Sequence, residues 1–103
     1  MNETLEEQFG KEMFSIYQRA NDELGYNASR YFQMLANDGA LHTATTLVLA
    51  KDFSQGMTFL WKNKRLDLSV EALVINPKWA SLFSTDVREA AKRKLRQLGY
   101  TKI

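Results

Sequence analysis

Helix signals recur at short intervals along the whole chain, and only one segment, Leu68–Ile75, has the composition of a strand. Between Leu5 and Leu24 the apolar residues are spaced by three and four, with Thr4 placed to cap a helix and Gly25 to end it. A strand must pair its backbone groups with a second strand, and the sequence offers none. The chain is therefore predicted to be all-α.

Capping and turn residues divide the rest of the chain into further, shorter helices. Asn27 is expected to cap the second helix and Asp67 the fifth, which covers Leu68–Ile75. Ser84 or Thr85 is expected to cap the last helix. The other predicted elements are a third helix over Ala40–Ala50, a fourth after Ser54, and a brief helical turn over Pro77–Phe83. We expect a compact single-domain bundle of five to seven helices over residues 1–103.

The segment from Ser54 to Phe83 contains both tryptophans, which we expect in the core. Arg65, Asp67 and Glu71 lie among its leucines and valines, where an isolated charge would be costly. One interpretation is a structural charge cluster of these three residues, in which Arg65 is within reach of either carboxylate. The alternative is a functional pair of carboxylates. The first is favoured because paired charges near a buried corner hold the chain in one geometry.

The residue types that carry most enzymatic chemistry are scarce. The chain has no cysteine, which excludes disulfides, thiolate catalysis and cysteine-bound metals, and His42 is its single histidine. The five glycines are isolated from one another, so no phosphate-binding loop is evident. We expect no catalytic residue, no cofactor and no metal site.

Targeting signals are also missing from the sequence. No run approaches the roughly 18 consecutive apolar residues of a membrane span, and residues 1–10 are acidic, unlike a secretory signal. Together with the absence of cysteine, this predicts a cytoplasmic protein without membrane contact.

The charges are unevenly distributed although the net charge is only +2. Residues 1–50 carry a net charge of −4 and residues 51–103 a net charge of +6. Much of the excess lies on the last helix, where one basic face is predicted to be exposed to solvent opposite a narrow apolar stripe. The residues expected to contact nucleic acid or another partner are Lys62, Lys64, Arg88, Lys92, Arg93 and Arg96.

The segment from Ser54 to Phe83 contains the pattern Leu-Trp, then Arg-Leu-Asp-Leu, then Val-Glu-Ala-Leu-Val, and a basic helix follows it. In these features it resembles a family of small uncharacterised bacterial helical proteins, and the segment Asn27–Ala44 is similar to that family too. The resemblance implies a bacterial origin and a self-contained helical domain, and it implies no catalytic residue. In this chain the matching residues are Leu60, Trp61, Arg65, Leu66, Asp67, Leu68, Val70, Glu71, Ala72, Leu73 and Val74.

Two functional hypotheses follow. The first is a non-catalytic protein-interaction or regulatory module that binds a protein partner or a second copy of itself, with Tyr26, Tyr31 or Tyr100 as exposed anchors. The alternative is a nucleic-acid-binding accessory domain that uses the basic last helix. An enzyme acting through Asp67 and Glu71 is a distant third hypothesis, because two acids without a base do not make a mechanism.

Overall fold

Six α-helices and two short 3₁₀ segments make up the regular structure of residues 3–101, the part of the chain that this computed structural model describes. Within that range no residue lies in a strand, so the predicted all-α class is confirmed, as is the predicted number of helices. The helices are α1 (Leu5–Leu24), α2 (Ser29–Asp38), α3 (Ala40–Leu49), α4 (Gln55–Lys62), α5 (Val70–Val74) and α6 (Thr85–Gln97), with 3₁₀ segments at Leu66–Leu68 and Pro77–Leu82.

Several helix ends form as the local sequence predicts. The hydroxyl of Thr4 accepts a hydrogen bond from the backbone N–H of Glu7 at 3.1 Å, which caps α1. Gly25 ends the same helix with φ of 67°, a left-handed conformation that glycine adopts without steric cost. Ser54 caps α4 and Ser84 caps α6 by the same type of bond. These caps need only neighbouring residues, so tertiary packing does not change them.

Two predicted caps are wrong. Ser69, rather than Asp67, caps the fifth helix: its hydroxyl accepts from the N–H of Ala72 at 3.1 Å and donates to the carbonyl of Leu66 at 2.7 Å. Asp67 is unsuited to that role because it lies within the 3₁₀ segment and both its oxygens face Arg65. Asn27 precedes the N-cap position of α2, which Ala28 occupies without a side-chain bond.

Helix α3 is the central element of the bundle and packs against α1, α2, α5 and α6. Its buried face consists of Thr43, Ala44 and Val48, whose small side chains let four neighbours approach closely. The hydroxyl of Thr43 is satisfied by the carbonyl of Met34 on α2, at 3.0 Å. The threonines of this segment are thus compatible with a helix because packing and hydrogen bonding outweigh their modest helix propensity.

The two tryptophans have opposite environments. Trp79 is buried and packs edge-to-face on Phe9, with 5.4 Å between ring centroids, and Phe83 also packs edge-to-face on Phe9, at 5.1 Å. Trp61 has 45% of its surface exposed, so the prediction that it belongs to the core is wrong. Helix α4 is short and buries Met57 and Leu60, which leaves Trp61 at its exposed end.

Candidate functional site

An apolar cavity opens between α1, α2, α3, α4 and the start of α5. Its volume is about 360 Å³, roughly twice the ~150 Å³ of a cavity that holds benzene. It falls in the lower part of the size range of small-molecule sites, which are concave and mostly apolar with few polar groups. The apolar side chains that enclose it include Ile16, Ala20, Met34, Leu47, Met57 and Leu60.

Glu71 supplies the only carboxyl group among the residues that line this cavity. It lies in the first turn of α5 and only 3% of its surface is exposed, which is rare for a glutamate. Within residues 3–101, its carboxylate has no ion pair and no hydrogen bond with another side chain. The cavity therefore combines an apolar lining with one buried acid whose carboxylate has no side-chain partner among the described residues.

Burial dominates the electrostatics of Glu71. Removal from water raises the pKa of its carboxyl above the ordinary value of 4.5, and only its own backbone N–H and the positive charge of Lys94 oppose that rise. Burial also raises the pKa of Tyr31, to which the negative charge of Glu71 contributes. The ionised carboxylate is thus under-stabilised where it stands, and a cation or hydrogen-bond donor beside it would relieve that cost.

Lys94 approaches Glu71 from α6, a helix that contributes no residue to the cavity lining. Only 8% of Lys94 is exposed, and its ammonium group donates to the carbonyl of Leu47 at 2.9 Å and to that of Asp52 at 3.4 Å. Burial lowers the pKa of Lys94, while Glu71 and Asp52 act in the opposite direction. Its hydrogen bonds are thus directed to backbone oxygens near the end of α3, and Glu71 receives only its through-space charge.

Helix α2 forms one wall of the cavity and is the least buried of the six helices in residues 3–101. None of its residues is fully buried, and its N-cap lacks a side-chain bond. Within residues 3–101, two hydroxyls attach it to its neighbours: that of Tyr31 donates to the carbonyl of Met13 at 2.6 Å and lies 3.4 Å from the Met13 sulfur, and that of Thr43 donates to the carbonyl of Met34. Few buried contacts therefore hold this wall of the cavity in place.

An aromatic patch, consisting of Phe14, Tyr17 and Phe32, covers the outer face where α1 meets α2. The rings of Tyr17 and Phe32 are 5.2 Å apart, and those of Phe14 and Phe32 are 6.2 Å apart. Phe14 and Phe32 are 39% and 41% exposed. Because Tyr17 also lines the cavity, the patch and the cavity are continuous. Clustered exposed rings of this kind are typical of binding surfaces.

The basic face expected on the last helix is only partly exposed. Arg88 is half-buried, since one of its terminal nitrogens donates to the carbonyl of Ile75 at 3.2 Å, and its Nε is buried without a partner. Lys92 is half-buried and pairs with Glu89 at 3.4 Å. Arg93 and Arg96 are exposed as predicted. The prediction of a continuous solvent-facing ribbon is therefore wrong at its first two residues, because Arg88 bonds inward to Ile75 and Lys92 is half-buried beside Glu89 of its own helix.

Lys62 and Lys64 are exposed at the end of α4. Lys64 contributes to a shallow groove of about 310 Å³, together with Trp61 and Tyr100 from near the end of the chain. Lys64 also adopts a φ of 59°, in the left-handed region that non-glycine residues rarely enter. The groove thus combines a basic side chain with two aromatic rings.

The expected charge cluster forms without Glu71. Arg65 contacts Asp67 through two nitrogens, at 3.1 and 3.4 Å, and Glu23 of α1 through a third, at 2.8 Å. The prediction that Glu71 belongs to this cluster is wrong. The turn that begins α5 places Glu71 in the cavity and leaves Arg65 beside the end of α1. The hydrogen bonds that Arg65 and Arg19 donate lower the pKa of Glu23, and those that Asp67 and Glu23 accept raise the pKa of Arg65.

Sequence analysis missed the roles of Lys94 and Tyr31. Lys94 was detectable, because Val87, Ala91, Lys94 and Leu98 follow the spacing of four, three and four that marks one helix face. A lysine within such a stripe indicates a buried or half-buried amine. No comparable signal marked Tyr31, since its hydroxyl partner is a backbone carbonyl eighteen residues away in the chain.

No model of a known protein family matches the chain, and no curated protein or solved structure matches it either. Within the part of the chain that the structure describes, no three histidine or acidic side chains group closely enough to hold a metal ion. None of the helices in residues 3–101 has both the length and the apolar character required to cross a bilayer. The site must therefore be interpreted from its own geometry.

Proposed function

We propose that the protein is a non-catalytic regulatory module that binds one small, mostly apolar molecule in the cavity beside α2. The observation that carries this proposal is the cavity itself, about 360 Å³ in volume and enclosed by side chains such as Ile16, Met34 and Leu60. The apolar side chains of the lining face solvent where the pocket opens, so an empty pocket leaves apolar surface in contact with water. Occupation by an apolar molecule removes that surface from water.

The groups around the cavity favour binding over catalysis. Its two lining serines are engaged as helix caps, Ser54 for α4 and Ser69 for α5. His42 is exposed and is not among the lining residues. The two titratable groups that interact with Glu71, Lys94 and Tyr31, donate their hydrogen bonds to backbone carbonyls, so neither is positioned as an acid–base partner within hydrogen-bond reach of its carboxylate.

The regulatory part of the proposal rests on the position of α2. This helix contributes Tyr31 and Met34 to the cavity and Phe32 to the exposed aromatic patch. A ligand that packs against the inner face of α2 stabilises one position of the helix, and the outer rings move with it. A protein partner that docks on the patch would therefore bind differently to the occupied and the empty protein.

Titration with indole, a neutral bicyclic probe, tests the proposed site. We expect indole to shift the backbone amide NMR signals of α2 and α4 and to raise the melting temperature. Met34→Trp fills the cavity from α2 and should weaken indole binding about tenfold or more, whereas Gln33→Trp, on the exposed side of the same helix, should leave it unchanged. Absence of any shift with indole, or equal loss in both variants, would refute the proposal.

The groove beside α4 supports a second candidate function, binding of single-stranded nucleic acid. Trp61, Tyr100 and Lys64 line this groove, and Lys62 is exposed at the adjacent position of α4. Exposed aromatic rings beside basic side chains are what sequence-tolerant single-strand binders use to stack bases and contact phosphates.

Fluorescence polarisation with labelled single-stranded DNA and RNA at low and physiological salt tests this candidate. We expect affinity to fall with salt, with Trp61→Ala, and with the double change Lys62→Glu/Lys64→Glu. The charge-matched control is Lys51→Glu/Lys78→Glu, which alters two exposed lysines away from the groove. No binding at low salt, or an equal loss in the control, would exclude the groove as a nucleic-acid site.

A further inference from the structure

We propose that the molecule bound in the cavity is an amphipathic amine, with its ammonium group against Glu71 and its apolar body between α1, α2 and α4. This inference rests on the proposed function, because it assigns the chemistry of the ligand for that same cavity. It commits to one class: a primary or secondary amine attached to a compact hydrophobic skeleton.

The Glu71 carboxylate is buried with its own backbone N–H as a donor, which leaves part of its capacity to accept hydrogen bonds unused. A carboxylate accepts several hydrogen bonds, and buried polar groups in folded proteins nearly always find partners. Glu71 is 97% removed from solvent, as its 3% exposure shows, yet no other side chain in residues 3–101 donates to it. A glutamine or leucine would fill the same space without the penalty of a buried charge. The position thus favours a bound donor.

Lys94 donates no hydrogen bond to the Glu71 carboxylate. Its hydrogen bonds go to the carbonyls of Leu47 and Asp52, and α6 contributes nothing to the cavity lining. The side of Glu71 that faces the cavity therefore remains open to a ligand. An ammonium group brings a positive charge and up to three donors to that side, and charge-assisted hydrogen bonds of this kind are the strongest available to a carboxylate.

The cavity lining contains one acidic and one basic residue. Glu71 is the sole acidic residue of the lining, so an anionic ligand would meet a like charge in an apolar surrounding. Arg30 is the one basic residue of the lining, and it is exposed to solvent, where its charge is screened. The interior of the cavity is thus selective for a cation and disfavours an anion.

The cavity also has room for the hydrophobic skeleton of the ligand. A volume of about 360 Å³ exceeds that needed for one ring and accommodates a bicyclic ring with a short arm. Tyr17 and Tyr31 lie in the lining beside the aliphatic side chains. Their rings offer faces for an aromatic skeleton to pack against. Tryptamine has this combination of a bicyclic ring, a short arm and a terminal amine, which makes it the probe of choice.

The experiment compares three probes with one skeleton: tryptamine, its alcohol tryptophol, and the anion indoleacetate. Isothermal titration calorimetry at neutral pH should show tryptamine binding about tenfold more tightly than tryptophol, with indoleacetate the weakest. In Glu71→Gln the advantage of tryptamine over tryptophol should vanish while tryptophol still binds. Glu12→Gln, which removes an exposed carboxylate from α1, should preserve the full preference.

The outcomes separate this inference from the proposed function. Equal affinity for tryptamine and tryptophol, or an unchanged preference in Glu71→Gln, overturns the amine assignment and leaves the cavity as a site for neutral molecules. Failure of all three probes and of indole refutes the proposed function itself. Circular dichroism and thermal melting of Glu71→Gln establish that the variant is folded, so that loss of selectivity cannot be attributed to unfolding.

Discussion

The ammonium group of Lys94 on α6 donates to the backbone carbonyl of Leu47 on α3, across 2.9 Å and forty-seven positions of sequence. Helix α3 has no basic residue in its own last turn, so the positive charge that favours a helix C-terminus comes from another helix. The same lysine acts through space on Glu71, which lines the cavity. One side chain therefore joins the end of α3, the last helix and the candidate site.

Replacement of Lys94 by methionine should destabilise the fold. The carbonyls of Leu47 and Asp52 lose their donor, and loss of hydrogen bonds to a charged group costs about 1–3 kcal/mol. Urea denaturation measures the change in the free energy of unfolding. Lys92→Met is the matched control on the same helix, because the ammonium group of Lys92 pairs with the exposed Glu89 three residues away and its loss should change stability by less than about 0.5 kcal/mol. Equal effects in the two variants would contradict the capping role.

Stability should depend on pH through Glu71. Its pKa is raised in the folded protein, so the folded state holds the proton more tightly than the unfolded state. The resulting stabilisation is fully present below the ordinary value of 4.5 and is lost as pH rises through the folded pKa. Glu71→Gln removes this titration and should be more stable than the unmodified protein at neutral pH, with the difference shrinking towards acid.

Melting temperatures of the unmodified protein and of Glu71→Gln, measured from below pH 4.5 to neutral pH, test this prediction. The titratable groups that interact with Glu71 are Lys94, whose pKa burial lowers, and Tyr31, whose pKa burial raises away from this pH range. Parallel melting profiles for the two proteins would show that Glu71 does not titrate abnormally.

Ser69→Ala should lower the free energy of unfolding by about 1–2 kcal/mol, because it removes the cap of α5. The hydroxyl is buried and bonded to the N–H of Ala72 and the carbonyl of Leu66, so alanine leaves both backbone groups without this partner. Ser81→Ala alters an exposed serine of the second 3₁₀ segment and serves as control. Chemical denaturation measures the free energy of unfolding of both variants. An equal loss in Ser81→Ala and Ser69→Ala would disprove the capping role of Ser69.

Arg65→Ala should release Glu23. Hydrogen bonds from Arg65 are the largest cause of its lowered pKa, so the variant should shift that pKa upwards towards 4.5. The lowered pKa contributes stability above the ordinary value that is lost as pH falls through the folded pKa. NMR titration of the Glu23 carboxyl, at low and high salt, measures the shift. Because the pair is at the surface, salt should reduce the difference. A pKa of Glu23 that ignores the substitution would show that Arg65 is not its partner.

Local signals allowed much of the fold to be predicted. Thr4, Ser54 and Ser84 cap their helices through hydrogen bonds that span three residues, so the neighbouring sequence suffices to indicate them. The placement of Asp67 could not be predicted in this way. Its carboxylate had two candidate partners, the N-terminus of α5 and Arg65, and the proximity of Glu23 holds Arg65 where it contacts Asp67. Ser69 then takes the cap.

The candidate site was less predictable, because it depends on elements that are distant in sequence. Glu71 was singled out as a costly charge among apolar residues, which is correct, but its expected partner was Arg65. Its burial results from the packing of α5 against α3 and α6, and its cavity from the spacing of α2 and α4. No local sequence pattern predicts a cavity that five separate segments form together.

By itself, the sequence determined the all-α class, the order of the helices and most of their ends, because helix spacing, caps and stops are properties of residues three or four positions apart. Only the tertiary structure decided that Trp61 is exposed, that Arg88 turns inward to Ile75, and that Lys94 and Glu71 meet beside a cavity. These outcomes depend on which helix faces become neighbours, and burial then sets the cost of each charge according to what lies across the interface.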